Sequence, residues 1–140
     1  MRKSRVVIAG LLAALAMGFG VSSASAAPGV CSSGYSCVWY YSHYNTLVGS
    51  GAESAVSLNS GNFPAAIANK SNSAWANGGS CNYTEFWTQY LQAGSKFTLY
   101  SQTRLGSNYR DPQLSNGAGF DGAGINFAND IASYRFTGCA

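Results

Sequence analysis

The sequence predicts an all-β domain built from two related halves and stapled by disulfides, and three observations lead there. First, Asn69-Lys70-Ser71-Asn72-Ser73-Ala74-Trp75-Ala76 is echoed by Asn129-Asp130-Ile131-Ala132-Ser133-Tyr134-Arg135-Phe136. Each stretch follows an alanine, opens on asparagine, places serine four residues on and runs to a glycine, Gly78 or Gly138. Asn and Ser close turns with their own side chains, so the two copies read as one Asn-turn feeding a short strand, used twice. Second, nothing after residue 27 sustains a helical period, whereas short aromatic and β-branched runs recur. Third, the chain is only 9% charged but 14% aromatic, with many Gly, Ser and Asn residues. Such a composition suits short strands joined by polar turns, with aromatic rings supplying the buried area.

The first residues carry Arg2, Lys3 and Arg5, then an apolar run from Val6 to Val21, then Ala24-Ser25-Ala26. That order is the one of a secretory signal peptide, expected over 1–26, and it leaves a single domain at 27–140 outside the cell. The run is short, rich in Gly and Ala and lacks a stop-transfer pattern, which speaks against an anchor. The formal charge of +3 comes wholly from the leader. Beyond it Lys70, Lys96, Arg104, Arg110 and Arg135 face Glu53, Glu85, Asp111, Asp121 and Asp130. With no basic stripe left, neither nucleic acid nor a membrane surface is an expected partner.

All four cysteines, Cys31, Cys37, Cys81 and Cys139, fall in the exported part. An even number in a small secreted domain reads as disulfides rather than a zinc site, for which a single histidine is too few. Three pairings are open. The preferred one joins Cys31 to Cys37, clipping an N-terminal turn, and Cys81 to Cys139, tying the second unit to the chain end.

Taken in order, Val38-Trp39-Tyr40-Tyr41 predicts a strand, Ser42 to Thr46 a turn and Ala55-Val56-Ser57-Leu58 a second strand. Asn59 to Pro64 is expected as loop, Pro64 to Ala68 as one helical turn, and Ala74 to Ala76 as a strand after the first Asn-turn. Tyr83-Thr84-Glu85-Phe86-Trp87 opens the second unit. There Thr88-Gln89-Tyr90 matches Ser42-His43-Tyr44, with Trp87 at the place of Tyr41. Gln89 to Ala93 reads as another turn and Lys96 to Tyr100 as an alternating strand. A Gly-, Ser- and Asn-rich passage, 101–124, follows as a long loop before the second Asn-turn. Repeat one covers about 31–79 and repeat two about 81–140, forming a small sandwich of two Greek-key-type units.

The pattern Cys-x-x-Gly-Tyr-x-Cys-x-Trp at Cys31 to Trp39, Tyr44, the Cys81 strand, and Asn-Asp-x-Ala-Ser at Asn129 to Ser133 resemble small secreted bacterial metalloproteinase inhibitors. That family has a βγ-crystallin-like fold, and the resemblance runs in order over nearly all of 27–140. It implies a βγ-crystallin-like sandwich that binds and blocks a peptidase. The sequence departs from the pattern where Thr46 replaces a glycine expected after Trp39 and Tyr44. Crystallin-type units also bind calcium through Asn/Asp-Asn/Asp-x-x-Ser/Thr-Ser. Asn129, Asp130 and Ser133 match, but Tyr134 replaces the last serine; Asn69 and Ser73 match, but Lys70 puts a cation among the expected oxygens. The expectation is no cofactor, with these side chains locking turns; calcium at Asn69, Ser73, Asn129, Asp130 and Ser133 is the alternative.

Catalysis is not expected. His43 is the only histidine available as a base, and it lies among aromatics at a strand end. Asp111 and Asp121 share the long loop, where aspartates ordinarily form turns. The glycines at 117–124 precede neither a helix nor a lysine, so they do not cradle phosphate. Binding remains. Arg104, Leu105, Tyr109 and Arg110 offer large side chains for a peptidase cleft. Tyr40, Tyr41, Tyr44, Trp87 and Tyr90 offer rings for stacking on a cell-wall or cell-surface glycan, about half of them facing outward given strand alternation. A toxin directed at competitor cells is a third reading. The partner is thus expected to be an extracellular protease or a glycan, met by a monomer.

Overall fold

The computed structural model describes residues 29–44, 53–57 and 59–140. The leader expected at 1–26 and the end of the turn at Asn45-Thr46 lie outside the described residues. Among the described residues eight strands form two four-stranded antiparallel sheets. They are β1 (Tyr35–Trp39), β2 (Glu53–Ser57), β3 (Ser60–Asn62), β4 (Ser73–Asn77), β5 (Cys81–Gln89), β6 (Ala93–Tyr100), β7 (Arg110–Asp111) and β8 (Ser133–Cys139). Sheet one runs β2-β1-β4-β7 and sheet two β3-β8-β5-β6. Each unit of four therefore lends its third strand to the other sheet, β3 to sheet two and β7 to sheet one. Two paired Greek keys are the result, as an all-β sandwich.

That exchange explains two departures from the sequence reading. Asn59 to Pro64 is not all loop, because Ser60-Gly61-Asn62 pairs with Arg135, Tyr134 and Ser133 of β8. Likewise 101–124 is not one loop: it holds a four-residue helix α1 (Gln102–Leu105) and β7, which pairs with Ala74 and Trp75. Ser-Gly-Asn has little strand preference of its own, so both strands exist through long-range pairing that no local signal announces.

The two Asn-turns sit in matching surroundings. Asn69 N–H donates to the Ile131 carbonyl and Asn129 N–H to the Ser71 carbonyl, both at 2.8 Å. Both asparagines adopt a left-handed backbone, φ 58° and 59°, which Asn tolerates better than most residues. Ser73 Oγ donates to Tyr41 O at 2.8 Å and accepts from Tyr44 N at 3.2 Å. Ser133 Oγ does the same to Gln89 O at 2.6 Å and from Gln92 N at 3.0 Å. Hence Tyr41 corresponds to Gln89 and Tyr44 to Gln92. Trp39 corresponds to Trp87, since their carbonyls accept from Asn72 and Ala132. The alignment of Trp87 with Tyr41 is therefore out of step by two residues: it matched aromatic side chains, whereas the left-handed pairs His43-Tyr44 and Leu91-Gln92 set the hairpin geometry.

The sheets enclose a core that includes Val38, Phe63, Ile67, Phe86, Phe97, Leu99, Leu114, Phe127, Ile131 and Phe136. Phe86 stacks between Phe63 and Phe97, at 6.4 and 4.9 Å. Disulfides join Cys31 to Cys37 and Cys81 to Cys139, the latter across the β5–β8 register.

Candidate functional site

Corresponding positions in the two repeats are finished differently, and that difference marks the site. On sheet one the outward residues Cys37, Trp39 and Trp75 are covered. Trp39 is 0% exposed and belongs to a second small core with Cys31, Tyr44 and Trp75. The Cys31–Cys37 bridge holds 29–34 over this face. There Gly29 donates to Tyr44 O at 3.0 Å, Gly34 to Asn77 O at 2.7 Å, and Asn77 Nδ2 to Cys31 O at 2.9 Å. Gly29 lies so close to the Trp39 indole that a side chain there would collide with it. Burial pushes the Tyr44 hydroxyl well above the usual tyrosine range, with nearby Arg110 opposing.

The outer face of sheet two is covered less: Arg135 and Phe120 are exposed and Tyr83, Trp87, Lys96 and Tyr100 partly so, while Thr98 and Ser133 are buried. β5 alternates, sending Thr84 and Phe86 into the core and Tyr83, Glu85 and Trp87 outward. In register beside them stand Tyr100, Thr98 and Lys96 of β6, and Thr137, Arg135 and Ser133 of β8. At one end Tyr83, Tyr100 and Phe120 form a triangle of rings, with centroids 5.6 Å (Tyr83–Tyr100), 6.4 Å (Tyr83–Phe120) and 4.7 Å (Tyr100–Phe120) apart. Phe120 is 48% exposed. The middle row alternates in charge. Arg135 meets Glu85 at 2.6 Å, Glu85 meets Lys96 at 3.0 Å, and Lys96 meets Asp121 at 3.1 Å. At the far end Trp87 is half-buried between the two cations, with Arg135 5.6 Å and Lys96 5.9 Å from its ring.

Phe120 is placed by its neighbours. Asp121 accepts from Thr98 N–H at 2.6 Å and from the Thr98 hydroxyl at 2.7 Å, while Phe120 N–H donates to Thr98 O at 3.3 Å. These bonds also cover the free edge of β6. Gly119, at φ 60°, lies against the Thr98 carbonyl with no room for a side chain. Burial works to raise the Asp121 pKa, but the hydrogen bonds from Thr98 and Lys96 outweigh it and hold the carboxyl below its ordinary range. Burial likewise opposes the charge on Lys96, but its bonds to Glu85 and Asp121 prevail and raise its pKa.

The residues singled out in the sequence are distributed over other parts of the molecule. Arg104 and Leu105 lie exposed on α1, where Arg104 Nε donates to Asn82 Oδ1 at 3.2 Å. Tyr109 packs on Trp75 at 5.7 Å, and Arg110 lies over both rings. The four do not form one extended segment. Tyr44 is buried, whereas Tyr40, Tyr41 and Tyr90 are exposed at the two hairpins. Sequence reasoning missed Tyr83, Tyr100 and Phe120, although the alternation Tyr83-Glu85-Trp87 against Thr84-Phe86 signals an outward aromatic row.

The Asn/Ser stretches hold turns. A calcium site gathers about six to eight oxygens. Here the Ser73 and Ser133 hydroxyls each already donate and accept a turn bond, and Asn129 Oδ1 accepts from Asn72 Nδ2 at 2.9 Å. Lys70 Nζ donates to the Ala65 and Ala66 carbonyls, leaving Asp130 as the one carboxylate in the two stretches. Among the described residues no three His, Cys, Asp or Glu side chains gather at a point. His43 is exposed with its backbone N–H on Pro112 O, Asp111 accepts from the Gln113 and Gly119 amides, and Asp121 is taken up by Thr98 and Lys96.

No family model matches the chain, and no curated protein does. Among solved structures, one described as "Evolution of the eye lens beta-gamma-crystallin domain fold" superposes with a TM-score of 0.56 at 12% identity, covering 80% of this chain and 96% of that one. A βγ-crystallin from an archaeon gives 0.49 at 13% identity, over 75% and 99%. A W39D mutant of a βγ-crystallin domain from Clostridium beijerinckii gives 0.48 at 9% identity, over 74% and 98%. The chain has the βγ-crystallin fold. Likeness at this level fixes architecture and leaves activity to the site.

Proposed function

We propose that this βγ-crystallin-fold domain is an exported, non-catalytic binding protein that recognises a polysaccharide with the outer face of sheet two. The observation that carries the reading is the contrast between Trp39 and Trp87. They occupy one position in the two repeats, yet the first is sealed under the N-terminal clip and the second stays partly exposed beside Arg135 and Lys96. Sugar rings present apolar C–H faces that lie on aromatic rings, and hydroxyl edges that pair with charged and amide groups; this face offers both. A protein partner fits less well, because the centres of such interfaces are depleted of charge and burying the Arg135–Glu85–Lys96–Asp121 row would be costly. The two disulfides support export. The test is co-sedimentation with insoluble cell-wall polysaccharide. Wild type should pellet and a Tyr100→Ala/Phe120→Ala variant should stay in solution; recovery of wild type in the supernatant would remove the reading.

Peptidase inhibition is the second reading, supported by Leu105, 43% exposed on a turn tethered through Arg104 and Asn82. Those two residues would supply the contact, since Tyr109 and Arg110 are engaged with Trp75. Incubation with a thermolysin-type enzyme decides it. Undiminished peptidase activity at stoichiometric excess of the domain would discard inhibition.

A further inference from the structure

We infer that the polysaccharide bound by this face is uncharged and lies along β5, spanning from the Tyr83–Tyr100–Phe120 rings to Trp87; this rests on the polysaccharide reading above. The charge of the face gives the ligand class. Two cations, Arg135 and Lys96, alternate with two carboxylates, Glu85 and Asp121, each within 3.1 Å of an opposite neighbour. A polyanion crossing this row meets Glu85 and Asp121, and a polycation meets Arg135 and Lys96. Neither gains a net field, and either would have to break ion pairs already made. Hydroxyls and amides both donate and accept, so a neutral chain pairs with cations and carboxylates in turn without disturbing them.

The layout gives the direction. Tyr83 and Trp87 lie on one face of one strand, four residues apart and hence roughly 13 Å along it. The ring triangle closes one end, Trp87 the other, and the ion-pair row crosses between them. Such a span suits a chain of several sugar rings rather than a single one. Two fixed features hold the aromatic end in place before any ligand arrives. Gly138, at φ 63°, lies close against the Tyr83 ring, where an added methyl would crowd it, and Asp121 ties the Phe120 segment to Thr98. Preorganisation of this kind lowers the ordering cost of binding.

Affinity electrophoresis of the 27–140 domain tests the inference, using gels that contain a neutral glucan, a neutral poly-N-acetylglucosamine derivative, an anionic polyuronate or a cationic polyglucosamine. We expect retardation by at least one neutral polymer, unchanged by added salt, and at least tenfold weaker in Tyr100→Ala and in Phe120→Ala, while Tyr100→Phe retains it. A hexasaccharide of the retarding polymer should compete at least tenfold better than the disaccharide. Retention by the polyuronate or polyglucosamine alone, lost with salt, would overturn the neutral-chain inference and leave the polysaccharide reading standing. Equal competition by disaccharide and hexasaccharide would overturn the spanning geometry. Retardation by none of the four would remove the reading itself. Thermal melting of each variant separates lost binding from lost folding.

Discussion

Ser36 and Thr84 hold the same position in the two repeats, and their hydroxyls meet at 2.6 Å in the buried core. Ser36 faces Ala76 across β1–β4 as Thr84 faces Phe136 across β5–β8, so this bond joins the two sheets at corresponding points. It is also a polar contact between two fully buried groups, for which removing one partner costs more than removing both. Ser36→Ala or Thr84→Val should each lower stability by about 1–2 kcal/mol. The double variant should lose less than the sum, as measured by urea denaturation. Strict additivity would show that the hydroxyls do not interact.

The hairpin locks give the second prediction. Ser73→Ala strands Tyr44 N–H and Ser133→Ala strands Gln92 N–H, each beside residues in left-handed conformation. Each should cost about 1–2 kcal/mol. With these oxygens engaged in turn bonds and one carboxylate between the two stretches, calcium at roughly millimolar concentration should leave the melting midpoint unchanged. A calcium-dependent rise abolished by either serine variant would mean that the oxygens serve an ion after all.

The third concerns acid. Asp121 has a depressed folded pKa, so its contribution to stability is present above the unfolded value of 3.8 and is lost as pH falls through the folded value. Asp111 has the opposite sign. Burial raises its pKa despite the Gln113 and Gly119 amides, so its penalty is present at neutral pH and relieved on protonation. Urea midpoints followed from neutrality down to pH ~3 should flatten in Asp121→Asn and steepen in Asp111→Asn. The reverse order would contradict the assigned environments.

Much of the architecture is legible in the sequence because it is local. The Asn-turn echo marks β4 and β8, aromatic runs mark β1, β5 and β6, and the preferred cysteine pairing is the one in the structure. β3 and β7 are not legible, since each owes its existence to a strand in the opposite repeat. The site was partly legible for a related reason. Alternation shows that Tyr83, Glu85 and Trp87 share a face, but only the folded N-terminal clip shows which sheet is covered. Phe120 reaches that face through Thr98, which is remote in sequence.

The disulfides give a further expectation. Cys81–Cys139 closes a separation of 58 residues and Cys31–Cys37 one of 6. Loop-closure entropy assigns roughly 4 kcal/mol to the first and about 2 to the second. Replacing Cys81 and Cys139 by serine should therefore cost more stability than replacing Cys31 and Cys37. The second replacement should in addition loosen the cover over Trp39, seen as a red-shifted tryptophan emission in the folded state.

Gly119→Ala joins stability to recognition. A methyl group at φ 60° would fall on the Thr98 carbonyl, so the change should cost about 1–3 kcal/mol. It should also displace Phe120 and weaken polysaccharide retention. Unaltered retention would mean that Phe120 takes no part.

On this reading the domain meets its ligand at the less covered outer face of sheet two. Backbone amide chemical-shift mapping of the 27–140 domain during titration with a neutral cell-wall oligosaccharide tests it most directly. We predict perturbations confined to Tyr83, Glu85, Trp87, Lys96, Tyr100, Phe120 and Arg135 and their neighbours, with Trp39 and Trp75 silent. Perturbations centred on Arg104 and Leu105, or none at saturating oligosaccharide, would contradict it.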